Sequence, residues 1–153
     1  MTLIGIDPGK ATGIAIYRDA ALCELRTVRP EQVEAVLMEV RPSRVVFEDS
    51  RKQSAVFSRG ANARATLKIA RSVGEIDQLC RQIESLCARL GIECVGVSPL
   101  RKGSKLDAQR FAALTGWTGR TNPHVRDAAM VARPYRRQAQ DGFRPHKKRR
   151  AKR

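Results

Sequence analysis

The chain has 153 residues, enough for one domain with a buried core plus a tail, and its 42% hydrophobic content is ordinary for a globular protein. No stretch approaches the length needed to cross a bilayer, and the first apolar run is cut short by Asp7, so membrane and secretory classes are set aside and a soluble, cytoplasmic protein is expected. Its 30 Lys and Arg against 15 Asp and Glu give a formal charge of +15, which makes a polyanion, nucleic acid first, the leading partner.

Residues 2 to 7 form an apolar run that predicts a strand, followed by a Pro8-Gly9-Lys10 turn. TGIAIY at 12 to 17 returns as a second strand. A short turn at Asp19-Ala20 leads to a third at 21 to 28, so an antiparallel meander is predicted. Arg29-Pro30-Glu31 opens a helix with Val33, Val36, Leu37 and Val40 as its apolar stripe, and Arg41-Pro42-Ser43 ends it. Residues 44 to 48 are a fourth strand whose β-branched core predicts burial on both faces.

Residues 49 to 65 read as a long loop with Val56-Phe57 at its centre. Its basic residues Arg51, Lys52, Arg59 and Arg64 are candidate DNA contacts, since a loop of this length in a compact domain is usually functional or mobile. A long helix follows at about 66 to 90. Ile69, Val73, Ile76, Cys80, Ile83, Cys87 and Leu90 alternate at four and three along it, and Gly91 caps it. Residues 92 to 98 are a fifth strand. Lys102-Gly103-Ser104-Lys105 is a basic turn whose Ser104 is a candidate cap for the next helix. A loop carrying Trp117 precedes the last helix, which Pro123 opens.

The ten residues 144 to 153, RPHKKRRAKR, hold seven Lys or Arg, and the rest of the chain still carries 23 basic against 15 acidic residues. Residues 1–141 are therefore expected to be the folded domain, and 142–153 a disordered basic arm that adds sequence-independent phosphate affinity. Cys23, Cys80, Cys87 and Cys94 contain no CxxC pair and read as buried thiols of a reducing compartment.

Three separated segments carry the candidate chemistry. Asp7 ends the first strand, Glu48 ends the fourth, and His124 and Asp127 are three apart on the last helix, hence on one face. Glu48 and the adjacent Asp49 point to opposite faces of a strand, so one of them joins Asp7. Glu48 is preferred because it continues the apolar strand. Each acid alone has a bland reading as a strand-end or helix-start charge. Together they would repel one another without a hard cation, which points to magnesium. Two Mg²⁺ ions would clamp a scissile phosphate, with Mn²⁺ as a substitute. His124 would serve as proton carrier or water-positioning group, and as a ligand more readily with Mn²⁺.

The element order βββαβαβαα predicts an α/β ribonuclease H-like fold, a mixed five-stranded sheet built from a three-strand antiparallel meander plus two parallel strands, flanked by helices. GIDPGKATGIAI, FED, NARATLKIARSVGEI and HVRDAAMVA together resemble the RuvC family of Holliday-junction resolvases over roughly residues 2 to 132, in a compact, phage-type version. That family carries either His or Asp three residues before its terminal Asp. The resemblance implies Asp7, Glu48, His124 and Asp127 as the catalytic, metal-binding set. It also implies Lys105, and more weakly Lys102, near the scissile phosphate, and Phe57 as a wedge at the junction crossover. The implied activity is paired nicking of four-way DNA junctions by a two-fold homodimer. A nuclease with a broader taste for forks and flaps, a ribonuclease H, and a non-catalytic nucleic-acid-binding module on the same fold remain open at this point.

Overall fold

The structure is a computed structural model that describes residues 1–53, 62–101 and 103–137. Thr2–Asp7 (β1), Thr12–Arg18 (β2) and Ala21–Val28 (β3) form the expected antiparallel meander. Arg44–Glu48 (β4) then pairs with β1 in parallel, and Glu93–Val97 (β5) pairs with β4 in parallel. The sheet order is β3-β2-β1-β4-β5, so β1 is central.

Side chains alternate across the sheet and build two cores. Ile4, Ile6, Ile14, Ile16, Val45 and Phe47 pack on one face against Val33–Val40 (α1) and Ala63–Leu90 (α2). Leu3, Ala15, Tyr17, Val46 and Val97 pack on the other against Ala108–Thr115 (α3) and Pro123–Ala132 (α4). The four buried positions of β4 reflect this covering on both sides, which is why its sequence is continuously apolar.

Local chemistry sets the element ends. Pro30 opens a short 3-10 turn before α1, and Arg41 in the left-handed region closes α1. Helix α2 begins three residues earlier than periodicity predicts, because the Asn62 side chain accepts from Ala65 N and caps it. Gly91, with φ of 68°, ends it as expected. Asp107 caps α3 in place of the expected Ser104. Asn122 caps α4 one residue before Pro123. The first part of the loop forms a 3-10 turn at Ser50–Lys52. Phe57, Arg59, Lys102, the domain boundary at 141 and the basic arm lie outside the described residues.

Length mismatch gives α2 its character. At 1.5 Å per residue its 28 residues span about 42 Å, against about 17 Å for the five-residue β4. The helix runs back from the carboxyl end of β4 to the amino end of β5, and its buried residues, Cys80, Ile83 and Cys87, all lie in the second half. Residues 67 to 75 are exposed on every face of the helix. The first half therefore overhangs the strand ends that carry Asp7 and Glu48. Of the four free thiols, Cys80 and Cys87 are buried and Cys94 half-buried. Cys23 is exposed on β3, against expectation, because that edge strand is covered only in part. Among the described residues no helix is long and apolar enough to cross a membrane.

Candidate active site

Strand register brings the first two acids together. Ile6 pairs with Phe47 across the parallel β1–β4 ladder, so the next positions, Asp7 and Glu48, are neighbours at the strand spacing of about 4.8 Å. Alternation then selects the face. Leu3 and Val46 pack toward α4, while Ile6 and Phe47 pack toward α1 and α2. Asp7 and Glu48 follow the parity of Leu3 and Val46 and share the α4 face.

Asp49 has the opposite parity and a different task. It is 1% exposed and bound by Arg51, whose Nε donates to Oδ1 at 2.8 Å and Nη2 to Oδ2 at 2.8 Å. Arg51 also grips Glu84 of α2 at 2.7 and 3.0 Å, and Ser50 donates to Asp77 at 2.6 Å. The Arg51 guanidinium holds the Asp49 carboxyl below the usual carboxylate range against the opposing effect of burial. Lys52 donates to the Gly96 carbonyl. The two basic residues expected to face DNA at this end of the loop thus have partners within the protein, and they tie the turn after Glu48 to α2 and β5.

Helix α4 lies across β1 and β2 at contact distance because two strand residues lack side chains. A methyl group at Gly5 would come within 2.1 Å of the Ala128 carbonyl, and one at Gly13 within 2.1 Å of the His124 carbonyl. Gly13 is the cross-strand partner of Asp7, so the first turn of α4 sits beside the first acid. Tyr17 donates its hydroxyl to the Ala129 carbonyl at 2.8 Å, and Asn122 donates to Thr27 at 2.8 Å, pinning the helix at two points. His124 Nδ1 is 3.2 Å from Asp7 Oδ2. Asp127, three residues on, is buried at 8% exposure in the second turn of α4.

Lys105 is exposed on the segment before α3. Its neighbour Leu106 accepts from Arg126 Nε at 2.9 Å, so this segment is tied to α4 at the residue preceding Asp127. Arg64 is exposed on the first turn of α2. The sequence pattern did not single out Gly5, Gly13 or Arg126, and it marked Arg51 as a DNA contact instead of a clamp on Asp49 and Glu84. For the glycines a signal exists, since Gly inside an apolar strand marks close approach of another backbone.

The donor set, three carboxylates and an imidazole from β1, β4 and α4, has the chemistry of a site for a hard divalent cation. Among the described residues no three His, Cys, Asp or Glu side chains are drawn into a single coordination cluster. Of the four donors, His124 and Asp7 are in contact, Glu48 neighbours Asp7 across the β1–β4 ladder, and Asp127 lies three residues along α4 from His124.

No protein-family model matches the chain, and no curated protein sequence does. Solved structures do. A T. thermophilus RuvC in complex with a Holliday junction substrate superposes with a TM-score of 0.63 at 18% identity, over 93% of this chain and 96% of that one. Another Thermus thermophilus RuvC structure gives a TM-score of 0.58 at 17% identity, over 92% and 96%. With its mixed five-stranded sheet and nearly full-length superposition, this chain has a RuvC-like, ribonuclease H-like fold.

Proposed function

We propose that the protein is a Mg²⁺-dependent, structure-selective endodeoxyribonuclease that resolves four-way DNA junctions by paired nicking, acting as a homodimer. The observation that carries this reading is the register of β1 and β4. It sets Asp7 beside Glu48 on the face that α4 covers, with His124 of that helix 3.2 Å from Asp7. Junction DNA as the substrate follows the Holliday junction complex of the structurally similar RuvC.

Asp7, Glu48 and Asp127 would hold the magnesium, two ions in this reading, and His124 would join them when manganese substitutes. Bound there, the metal supplies charge neutralisation at the phosphate and a water of lowered pKa. His124, half-exposed and in contact with Asp7, is placed to orient the attacking water or carry its proton. Lys105 offers a cation to the strand being cut. The overhanging apolar stripe of α2, with Ile69 and Val73 each 47% exposed, is the surface assigned to the second copy. A two-fold dimer presents two such sites to a substrate of near two-fold symmetry.

The test is nicking of a synthetic four-way junction, a fork and a linear duplex with Mg²⁺ and with EDTA. Paired nicks in the junction alone, dependent on the metal, are expected. Equal cutting of linear duplex would reject structure selectivity, and no cutting of any DNA with Mg²⁺ or Mn²⁺ would reject the nuclease reading.

A further inference from the structure

We propose that Lys68 and Arg71 of α2, together with Lys10 of the β1–β2 turn, form a track that grips the sugar-phosphate backbone of one duplex arm as it leaves the catalytic rim. The inference rests on the junction-nuclease reading and extends it to a surface on the side of the sheet away from α4. No acidic residue occurs between Asp49 and Glu75, while Arg64, Lys68 and Arg71 fall within that interval. At 100° per residue these three lie within about 60° of one another around the helix. Ile69 and Val73 lie about 100° to 180° away from them, on the opposite side of the overhanging half of α2.

The basic face does not stand alone. A cleft of about 600 Å³ separates it from the β1–β2 turn and Pro30, and its walls include Lys10, Arg71, Glu75 and Gln78. The Lys10 side chain is 92% exposed, and Glu75 is 3.9 Å from its ammonium. An exposed pair of this kind is weak, so a phosphate oxygen can replace Glu75 as the lysine's partner. Lys10 follows Asp7 by three residues, so the track begins at the rim where the acids lie. From the level of Glu75 to Lys68 the helix rises about 10 Å, roughly three base steps of 3.4 Å along a duplex strand. One strand of a duplex arm can follow a row of cations of that length.

The experiment measures binding of a fluorescent four-way junction by anisotropy across a salt series. It uses the full chain carrying Asp7→Asn, so that cutting is not read. The track variant adds K10Q, K68Q and R71Q. A control adds R18Q, R89Q and R110Q, which remove the same charge elsewhere. Circular dichroism checks that both variants fold. The track variant is expected to flatten the log–log salt slope by about 2 to 3, because each phosphate contact contributes about 0.9. The control is expected to change it much less.

A track variant with the parent's slope and affinity would overturn the proposal while leaving the junction reading intact. So would a control that loses as much as the track variant. A parent that binds no DNA would overturn the junction reading itself. Binding to phosphatidylserine vesicles instead of DNA would assign the basic face to a membrane and overturn both.

Discussion

Replacing Gly13 with alanine tests whether the seating of α4 sets the geometry of the site. The new methyl group would lie 2.1 Å from the His124 carbonyl oxygen and 2.9 Å from Val125 N. Ordinary contact begins at 3.4 Å, so the space is short by about 1.3 Å. Both obstructing atoms are backbone and cannot rotate away. The first turn of α4 must lift from the sheet, carrying His124 away from Asp7, from which it now stands 3.2 Å. Overpacking of this kind costs about 1–3 kcal/mol of stability. A displacement of about 1 Å at a reacting group costs on the order of 10²-fold in rate. Urea unfolding and single-turnover nicking of a saturating junction measure the two effects, and junction affinity is expected to change little, since Gly13 faces the helix and not the solvent. A variant of wild-type stability that cuts at the wild-type rate would refute the reasoning, because the helix would then have no fixed seat against β2.

Three further outcomes follow from the same structure. Asp49→Ala removes the buried partner of Arg51, which keeps Glu84, and should cost about 1.5 to 3 kcal/mol at neutral pH. Because the Asp49 carboxyl is held below its unfolded value of about 3.9, the stabilisation is full above that pH and fades as pH falls through the lowered value, so the gap between wild type and variant in urea unfolding should narrow as the medium is acidified below about pH 3.9. If the proposed dimer forms through α2, the wild type should sediment as a dimer and Ile69→Glu with Val73→Glu as a folded monomer, since both residues are already half-exposed in the single chain. Deleting residues 144 to 153, with their seven Lys or Arg, should flatten the salt dependence of binding to any DNA and leave junction preference unchanged.

The sheet was legible because its strands are short, apolar and bounded by Pro, Gly or Asp, and because three strands before the first long connection leave few topologies. Helix boundaries were less legible where the cap was a polar residue inside a basic, weakly patterned stretch, as with Asn62 and Asp107. At the site, periodicity separates Glu48 from Asp49 but does not say which of them shares a face with Asp7. Only the ladder register answers that, and register is a property of two strands. The fates of Arg51 and Lys52 were hidden for a related reason. As charges in a polar loop they resemble DNA ligands, and only the buried Asp49 and the nearby Glu84 convert Arg51 into a structural clamp. The apolar stripe of α2 reads the same from Ile69 to Leu90. Its burial differs between the two halves because the helix is longer than the strands it covers, which no helical pattern records.

The most direct measurement compares wild type with Asp7→Asn on one labelled four-way junction, reading binding and Mg²⁺-dependent strand cleavage in the same reaction. Cleavage by the wild type, with the variant bound as tightly but leaving the DNA intact, is the predicted result. Magnesium-dependent cutting by the variant at the wild-type rate would contradict the assignment of the chemistry to the rim that β1, β4 and α4 share.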